Sequence, residues 1–457
     1  MSKASLFTPI DSRYKSEILE VVLKVAHQLS NPLIVKEESC SKENEIEIDG
    51  VSYQPWSDLG LSHGYPGLCI LYGELDNIFP EQGWDDIGHE FLLEIQKAIE
   101  KEGIGSTSAF NGLVGIAFAV RALSRKGTRY TKFLEKLNKF LLTGTREFLE
   151  EAIENSSSAL LIDDYDVISG LSGIGRYLIH YKDLPEYQPL IHEILNYMVN
   201  LTRDKIVQGQ KVPGWFIKSE NLFLVSERIN NPIGSFNCGL SHGIAGPLAL
   251  LSIALQNGIE VEGHREAILK IGNWLINFSI SSGEYKIFPG SISWEEQIEG
   301  KIKQSLINRE AWCYGTPGVA RVLLLAGIAL NNQYFIGISL KSFKGIFERS
   351  ELSWNINSPT FCHGYSGLLH IANLMNNYSK LNDLNLDVYV EDLLKKIMNC
   401  YDLRNTFGFQ DIETMGNKEQ YTNKAGFLSG TAGILLPLLH LCKNKNHTDW
   451  DTLFLLN

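Results

Sequence analysis

The chain has 457 residues, 44% hydrophobic and 21% charged, a balance that suits a globular protein with a sizeable core. Its 41 Lys plus Arg against 53 Asp plus Glu leave a formal charge of −12, which excludes the basic footprint of a nucleic-acid binder. Spread along the chain, this acidity serves solubility and would also suit a cationic peptide substrate.

The N-terminal run MSKASLFTPIDSRYKSE has no apolar core of signal-peptide type. The most apolar stretches, such as GVARVLLLAGIAL from Gly318, are too short and too interrupted to span a bilayer. A cytoplasmic protein is expected. Seven cysteines (Cys40, Cys69, Cys238, Cys313, Cys362, Cys400 and Cys442) are odd in number and widely spaced. That pattern argues for reduced thiols or metal ligands rather than a disulfide framework.

In chain order, seven segments repeat a Gly-x-x-Gly step that runs into an apolar stretch. They are SHGYPGLCILY from Ser62, FNGLVGIAFAV from Phe110, ISGLSGIGRYLI from Ile168 and LSHGIAGPLALL from Leu240. CYGTPGVARVLLL from Cys313, CHGYSGLLHIA from Cys362 and LSGTAGILLPLL from Leu428 complete the series. Between the steps lie polar segments of helical period. Over Trp84–Glu100, Ile87, Phe91, Ile95 and Ala98 share one face, the pattern of an amphipathic outer helix. The sequel to each step, such as Leu113–Leu123, is apolar nearly all round and reads as a helix buried on every side. Seven alternations of amphipathic and buried helix predict an all-α chain closed as an α/α toroid, a double ring of inner and outer helices over residues 1–457. The glycines allow a tight entry into each inner helix and close approach near the axis.

First-glycine spacings of 73 and 72 residues flank the fourth step, longer than the others. The extra material lies at about 202–236 and 276–308, with β-prone runs KVPGWFIKS from Lys211 and EYKIFPGSISW from Glu284. These are expected to form a small strand-containing extension, or else a pair of ordered surface loops.

If the handedness repeats, the residues before the glycines gather on one rim, where helix N-termini favour negative charge. They are His63, Asp166, His242, Cys313, Cys362 and His363. Two thiolates and an imidazole would make a three-ligand zinc site with one position open, although buried cysteines are also commonly inert. His242 could act as acid or base, or be a hydrogen-bonded rim histidine. Asp166 could orient that imidazole or cap a turn. Arg309 could stabilise negative charge or join a surface salt bridge, and Tyr314 could donate a hydrogen bond or pack. His63 is read as structural, and Asp163 and Asp164 as a solvated loop.

The motifs YDVISGLSGIGRYL, GLSHGIAG, NREAWCYGTPG, FCHGYSG and GFLSGTAG, in this order, resemble the lanthionine synthetase C-like family, over about residues 55 to 440. The resemblance implies an α/α toroid with a small SH2-like extension. It implies one zinc ion per chain on Cys313, Cys362 and His363, with His242, Asp166, Arg309 and Tyr314 as the catalytic group. The implied reaction is Michael addition of precursor-peptide cysteine thiolates to dehydroalanine or dehydrobutyrine, giving the thioether rings of lantibiotics. The implied partners are a dehydrated precursor with its leader, bound along the extension, and a separate dehydratase. A membrane exporter in the same complex would attach the chain peripherally to a membrane. Two rivals remain open at this stage. One is a family-like zinc protein that binds glutathione-type thiols or acts as a scaffold without cyclising peptides. The other is a toroidal glycosidase using a carboxylate pair.

Overall fold

The computed structural model describes residues 12–48, 50–303, 309–379, 385–415, 418–443 and 445–457. Each Gly-x-x-Gly step opens a helix. These are Tyr65–Ile78, Leu113–Leu123, Leu171–Leu178, Ala245–Gln256, Thr316–Leu330, Tyr365–Ser379 and Thr431–Lys443. Leu113–Leu123 is buried along its length except at Arg121, as its all-round apolarity requires.

Amphipathic helices separate them: Trp84–Glu102, Thr131–Ser158, Gln188–Asn200, His264–Asn277, Gln333–Phe347 and Asp387–Asn399. Another, Ser12–Gln28, precedes the first step. In Trp84–Glu102 the stripe Phe91, Ile95 and Ala98 is buried, with Trp84 and Leu92 beside it. Ile87 is half-buried. Among the described residues no single helix is long and apolar enough to cross a membrane.

The chain divides into two compact units. The first comprises the described residues up to 106, with 110–138 and 356–450; the second comprises 107–109, 139–355 and 451–457. Within each unit the loops ahead of the glycines are joined by backbone hydrogen bonds. In the first unit Ser62 N donates to Phe110 O (3.1 Å), Leu428 N to Ser62 O (3.0 Å) and Cys362 N to Leu428 O (2.9 Å). In the second unit Val167 N donates to Ser241 O (3.0 Å) and Leu240 N to Cys313 O (2.9 Å). These links satisfy loop amides that no helix or strand would pair, and they tie neighbouring loops together within each unit.

Gly315 shows why the step needs glycine. Its φ is +92°, and a Cβ there would stand 2.1 Å from the carbonyl oxygen of Arg309. No side chain could share that turn.

The second unit also contains small antiparallel strands. Gly234–Asn237 lies between Ile217–Lys218 and Ser291–Ser293, with Phe236 opposite Ile292. Hairpins Lys205–Val207/Gln210–Val212 and Ile280–Ser282/Tyr285–Ile287 accompany them. The central strand runs directly into the GLSHG loop, so the sheet anchors the segment that carries His242. In the first unit a hairpin of Asp411–Met415 and Lys418–Thr422 appears where sequence reading foresaw none. The segment Leu453–Leu456 is fully buried in the second unit. There Trp312 Nε1 donates to Phe454 O at 3.0 Å, and Arg321 Nε to Leu456 O at 2.8 Å.

Candidate functional site

The second unit assembles Asp166, His242, Cys313 and Tyr314. Asp166 follows the single helical turn Ile162–Tyr165 and is wholly buried. Its Oδ1 accepts from Ser169 N and Gly170 N, both at 2.7 Å, and closes the loop into the helix Leu171–Leu178. Its Oδ2 stands 2.6 Å from His242 Nδ1. The two roles offered by the sequence, turn cap and imidazole partner, therefore coexist on separate oxygens of one carboxylate.

With Nδ1 donating to Asp166, Nε2 is the nitrogen left for chemistry. The His242 side chain keeps 28% exposure while Asp166 has none, so a substrate could reach the imidazole and not the carboxylate. Burial alone would lower the His242 pKa. The hydrogen bond and charge of Asp166, helped by the charges of Cys313 and Asp163, outweigh burial and raise it.

Tyr314 stands beside that pair, its ring centroid 6.5 Å from His242. Its hydroxyl accepts from Asn237 Nδ2 at 3.0 Å, while Asn237 Oδ1 accepts from Gly239 N. Burial pushes the phenol far above its ordinary pKa against the Asn237 hydrogen bond, which keeps it a neutral donor. Phe223 packs edge-on against His242 at 5.2 Å and 75°. Arg309 is half-buried at the entrance to the same loop, its carbonyl packed under Gly315. Its neighbour Glu310 is buried, accepting from Thr316 N at 2.9 Å and from Arg349 at 2.5 Å. Asp164, expected in a solvated loop, is instead buried and accepts from Leu161 N. Burial is the main force raising its carboxyl to about 6.

The first unit holds Cys362 and His363. His363 is buried, with Nε2 2.9 Å from Asp411 Oδ1 and 3.3 Å from Glu413 Oε1. Asp411 also accepts from Ser358 Oγ at 2.8 Å and from the buried Lys424 Nζ at 2.6 Å. Burial would raise the Asp411 pKa, but His363 and Lys424 hold it well below the usual carboxylate range. His63 faces the same cluster. It is half-buried overall, and its Nδ1 is sealed without a hydrogen-bond partner. Burial, then Lys424 and His363, pull its pKa down to about 3 against the attraction of Asp411. The histidine read as structural is thus a neutral member of a charged cluster.

Sequence reading missed Asn237, Phe223, Asp411 and Lys424. A signal existed for the acids: Asp411 and Glu413 alternate along a strand, so both project from one face toward His363.

Thiol and imidazole are the donor types that zinc takes. His363 is tied through Nε2 to the Asp411 carboxylate, the second partner that histidine ligands of metals usually have. Cys362 adjoins it, and Cys313 sits among the His242 group in its own unit. Burial pushes the thiols of Cys69 and Cys238 up into neutrality.

A family model described as lanthionine synthetase C-like protein matches residues 55–455. The nisin biosynthesis protein NisC of Lactococcus lactis subsp. lactis is 30% identical over 403 residues, covering 88% of this chain and 90% of that protein. A solved structure of a nisin cyclase aligns over 98% of each chain, with a TM-score of 0.76 and 27% identity. This likeness makes the fold class the α/α toroid expected from the seven repeats, with small sheets added.

Proposed function

We propose, because this chain belongs to the lanthionine synthetase C-like family, that it closes lantibiotic thioether rings by adding peptide cysteine thiols to dehydroalanine and dehydrobutyrine. The observation that carries the chemistry is the Asp166–His242 pair, 2.6 Å apart, in the unit that also holds Cys313 and Tyr314. Cys313, Cys362 and His363 would hold one zinc ion per chain, which when bound lowers the pKa of a substrate thiol and presents it as thiolate.

The protein's own groups then manage the proton. As the S–Cβ bond forms, the C=C π bond breaks and charge develops at Cα and the adjoining carbonyl oxygen. His242 Nε2 delivers a proton to Cα, and across the whole turnover that proton balances the one lost by the thiol. Asp166 fixes the imidazole tautomer and favours its charged form, so a proton is available near neutral pH. The neutral Tyr314 hydroxyl and the Arg309 guanidinium are assigned to the developing oxyanion.

The substrate is a dehydrated precursor peptide. Its leader would lie along the strand-containing extension at about 202–236 and 276–308, and a separate dehydratase would act before this chain. A membrane exporter belongs to the same proposal, as the route by which a cytoplasmic chain would meet a membrane.

Two measurements test this reading. Metal analysis should find about one zinc per wild-type chain and far less in Cys313→Ala and Cys362→Ala, with helical circular dichroism retained. His242→Asn should slow cyclisation of a dehydrated peptide by roughly 10²- to 10⁴-fold, with zinc content unchanged. A zinc-replete, folded wild type that closes no ring would sink the proposal, as would full activity in His242→Asn.

A further inference from the structure

His363 lies inside the first unit with 8% of its side chain exposed, and its Nε2 is 2.9 Å from Asp411 Oδ1. Asp411 has no exposure at all. Three further side-chain donors reach it, Ser358 Oγ at 2.8 Å and Thr360 Oγ1 at 3.4 Å on Oδ1, and Lys424 Nζ at 2.6 Å on Oδ2. Lys424 is itself only 4% exposed, so ammonium and carboxylate neutralise each other where neither could remain alone. A carboxylate can only accept, so the proton of the imidazole sits on Nε2. The acceptor nitrogen is then Nδ1, and a metal needs an unprotonated nitrogen.

The geometry points to Asp411 as a positioning residue for the metal centre: by holding the ring proton on Nε2, it fixes the tautomer and ring angle with which His363 Nδ1 meets zinc. The inference rests on the zinc reading proposed above and adds a residue that does not touch the ion. A competing arrangement uses the same atoms. Donor atoms of His363, Asp411 and Glu413 lie within 4.8 Å of one another and could surround a cation themselves. Lys424 argues against it, because its ammonium already supplies the positive charge at Asp411 and would repel a divalent ion at that carboxylate. Glu413 is the outer acceptor, 3.3 Å from Nε2 and a quarter exposed.

The test is zinc affinity of the full chain, by competition with a chromophoric chelator, for wild type, Asp411→Asn, Glu413→Gln and Cys362→Ala. Visible spectra of the cobalt-loaded proteins accompany it. Asp411→Asn should weaken zinc about 10- to 100-fold while keeping thiolate-to-cobalt absorption. Glu413→Gln should bind close to wild type, and Cys362→Ala should lose both affinity and absorption. An unchanged affinity in Asp411→Asn would overturn the assignment. So would loss of metal in Asp411→Asn and Glu413→Gln with retention in Cys362→Ala, since the carboxylates would then be the ligands. A purely structural role would lower the melting temperature yet leave affinity and cobalt spectrum alone, which also overturns it. Absence of zinc from the wild type would instead fell the zinc reading, and this inference with it. Should Asp411→Asn fail to fold, ¹⁵N-histidine spectra of zinc-loaded wild type decide. A metallated Nδ1 with protonated Nε2 at His363 is expected, and a metallated Nε2 overturns it.

Discussion

At the scale of single residues, the Asp166–His242 pair couples a loop closure to a titration. The His242 pKa is raised in the folded protein, with Asp166 overcoming burial. The stabilisation drawn from charging His242 is therefore complete below the ordinary histidine range and fades as pH rises through the raised value. Asp166→Asn also weakens the caps to Ser169 N and Gly170 N at any pH. Its destabilisation should accordingly be larger near pH 5 than near pH 9. Urea denaturation of both proteins at the two pH values checks this; an equal loss at both would mean that the pair is only a cap. His242 and Asp166 were legible in the sequence because each sits at a fixed offset from a repeated glycine. Asp411 was not, because it belongs to no repeat and meets His363 only through folding of a hairpin 48 residues away.

At the scale of elements, the Gly-x-x-Gly turn makes paired predictions. Gly315→Ala puts a side chain at φ +92° and 2.1 Å from Arg309 O. It should cost at least about 1–3 kcal/mol, read by chemical denaturation. Gly337→Ala, inside the helix Gln333–Phe347 with open space around its Cα, should instead stabilise by about 0.4–1 kcal/mol. If both substitutions proved neutral, the steric reading of the turn would be wrong. The buried segment Leu453–Leu456 is a third case. Removing 453–457 strips the acceptors from Trp312 Nε1 and from Arg321, which burial already depresses to about 10 against the pull of Asp451. A buried guanidinium that loses its backbone acceptor, with only the attraction of Asp451 remaining, costs about 1–3 kcal/mol, so the truncated chain should melt lower and Arg321→Met should recover part of the loss. Thermal melts of the truncated protein with and without Arg321→Met make the comparison. Helix count and type were readable because apolar periodicity is local. The hairpin at Asp411–Thr422 was not, since its pattern of charges and β-formers also suits a surface loop.

At the scale of the whole molecule, seven repeats were enough to predict the toroid, because each buried helix needs neighbours on both sides and a closed ring supplies them. The division into two compact units was invisible in the repeat, which runs through both without a break in pattern. Repetition reports what each helix needs, and it is silent on where contacts thin out along the chain. The loop-to-loop hydrogen bonds carry a kinetic consequence. Cys362, Leu428 and Ser62 lie outside helices and strands, yet their amides donate in series, each to the carbonyl of the next loop. Such amides cannot exchange with deuterium one at a time, as those of ordinary surface loops do. The three should exchange slowly and together, at the rate of the core helices they precede, so the segment bearing a proposed zinc ligand opens only when its unit does.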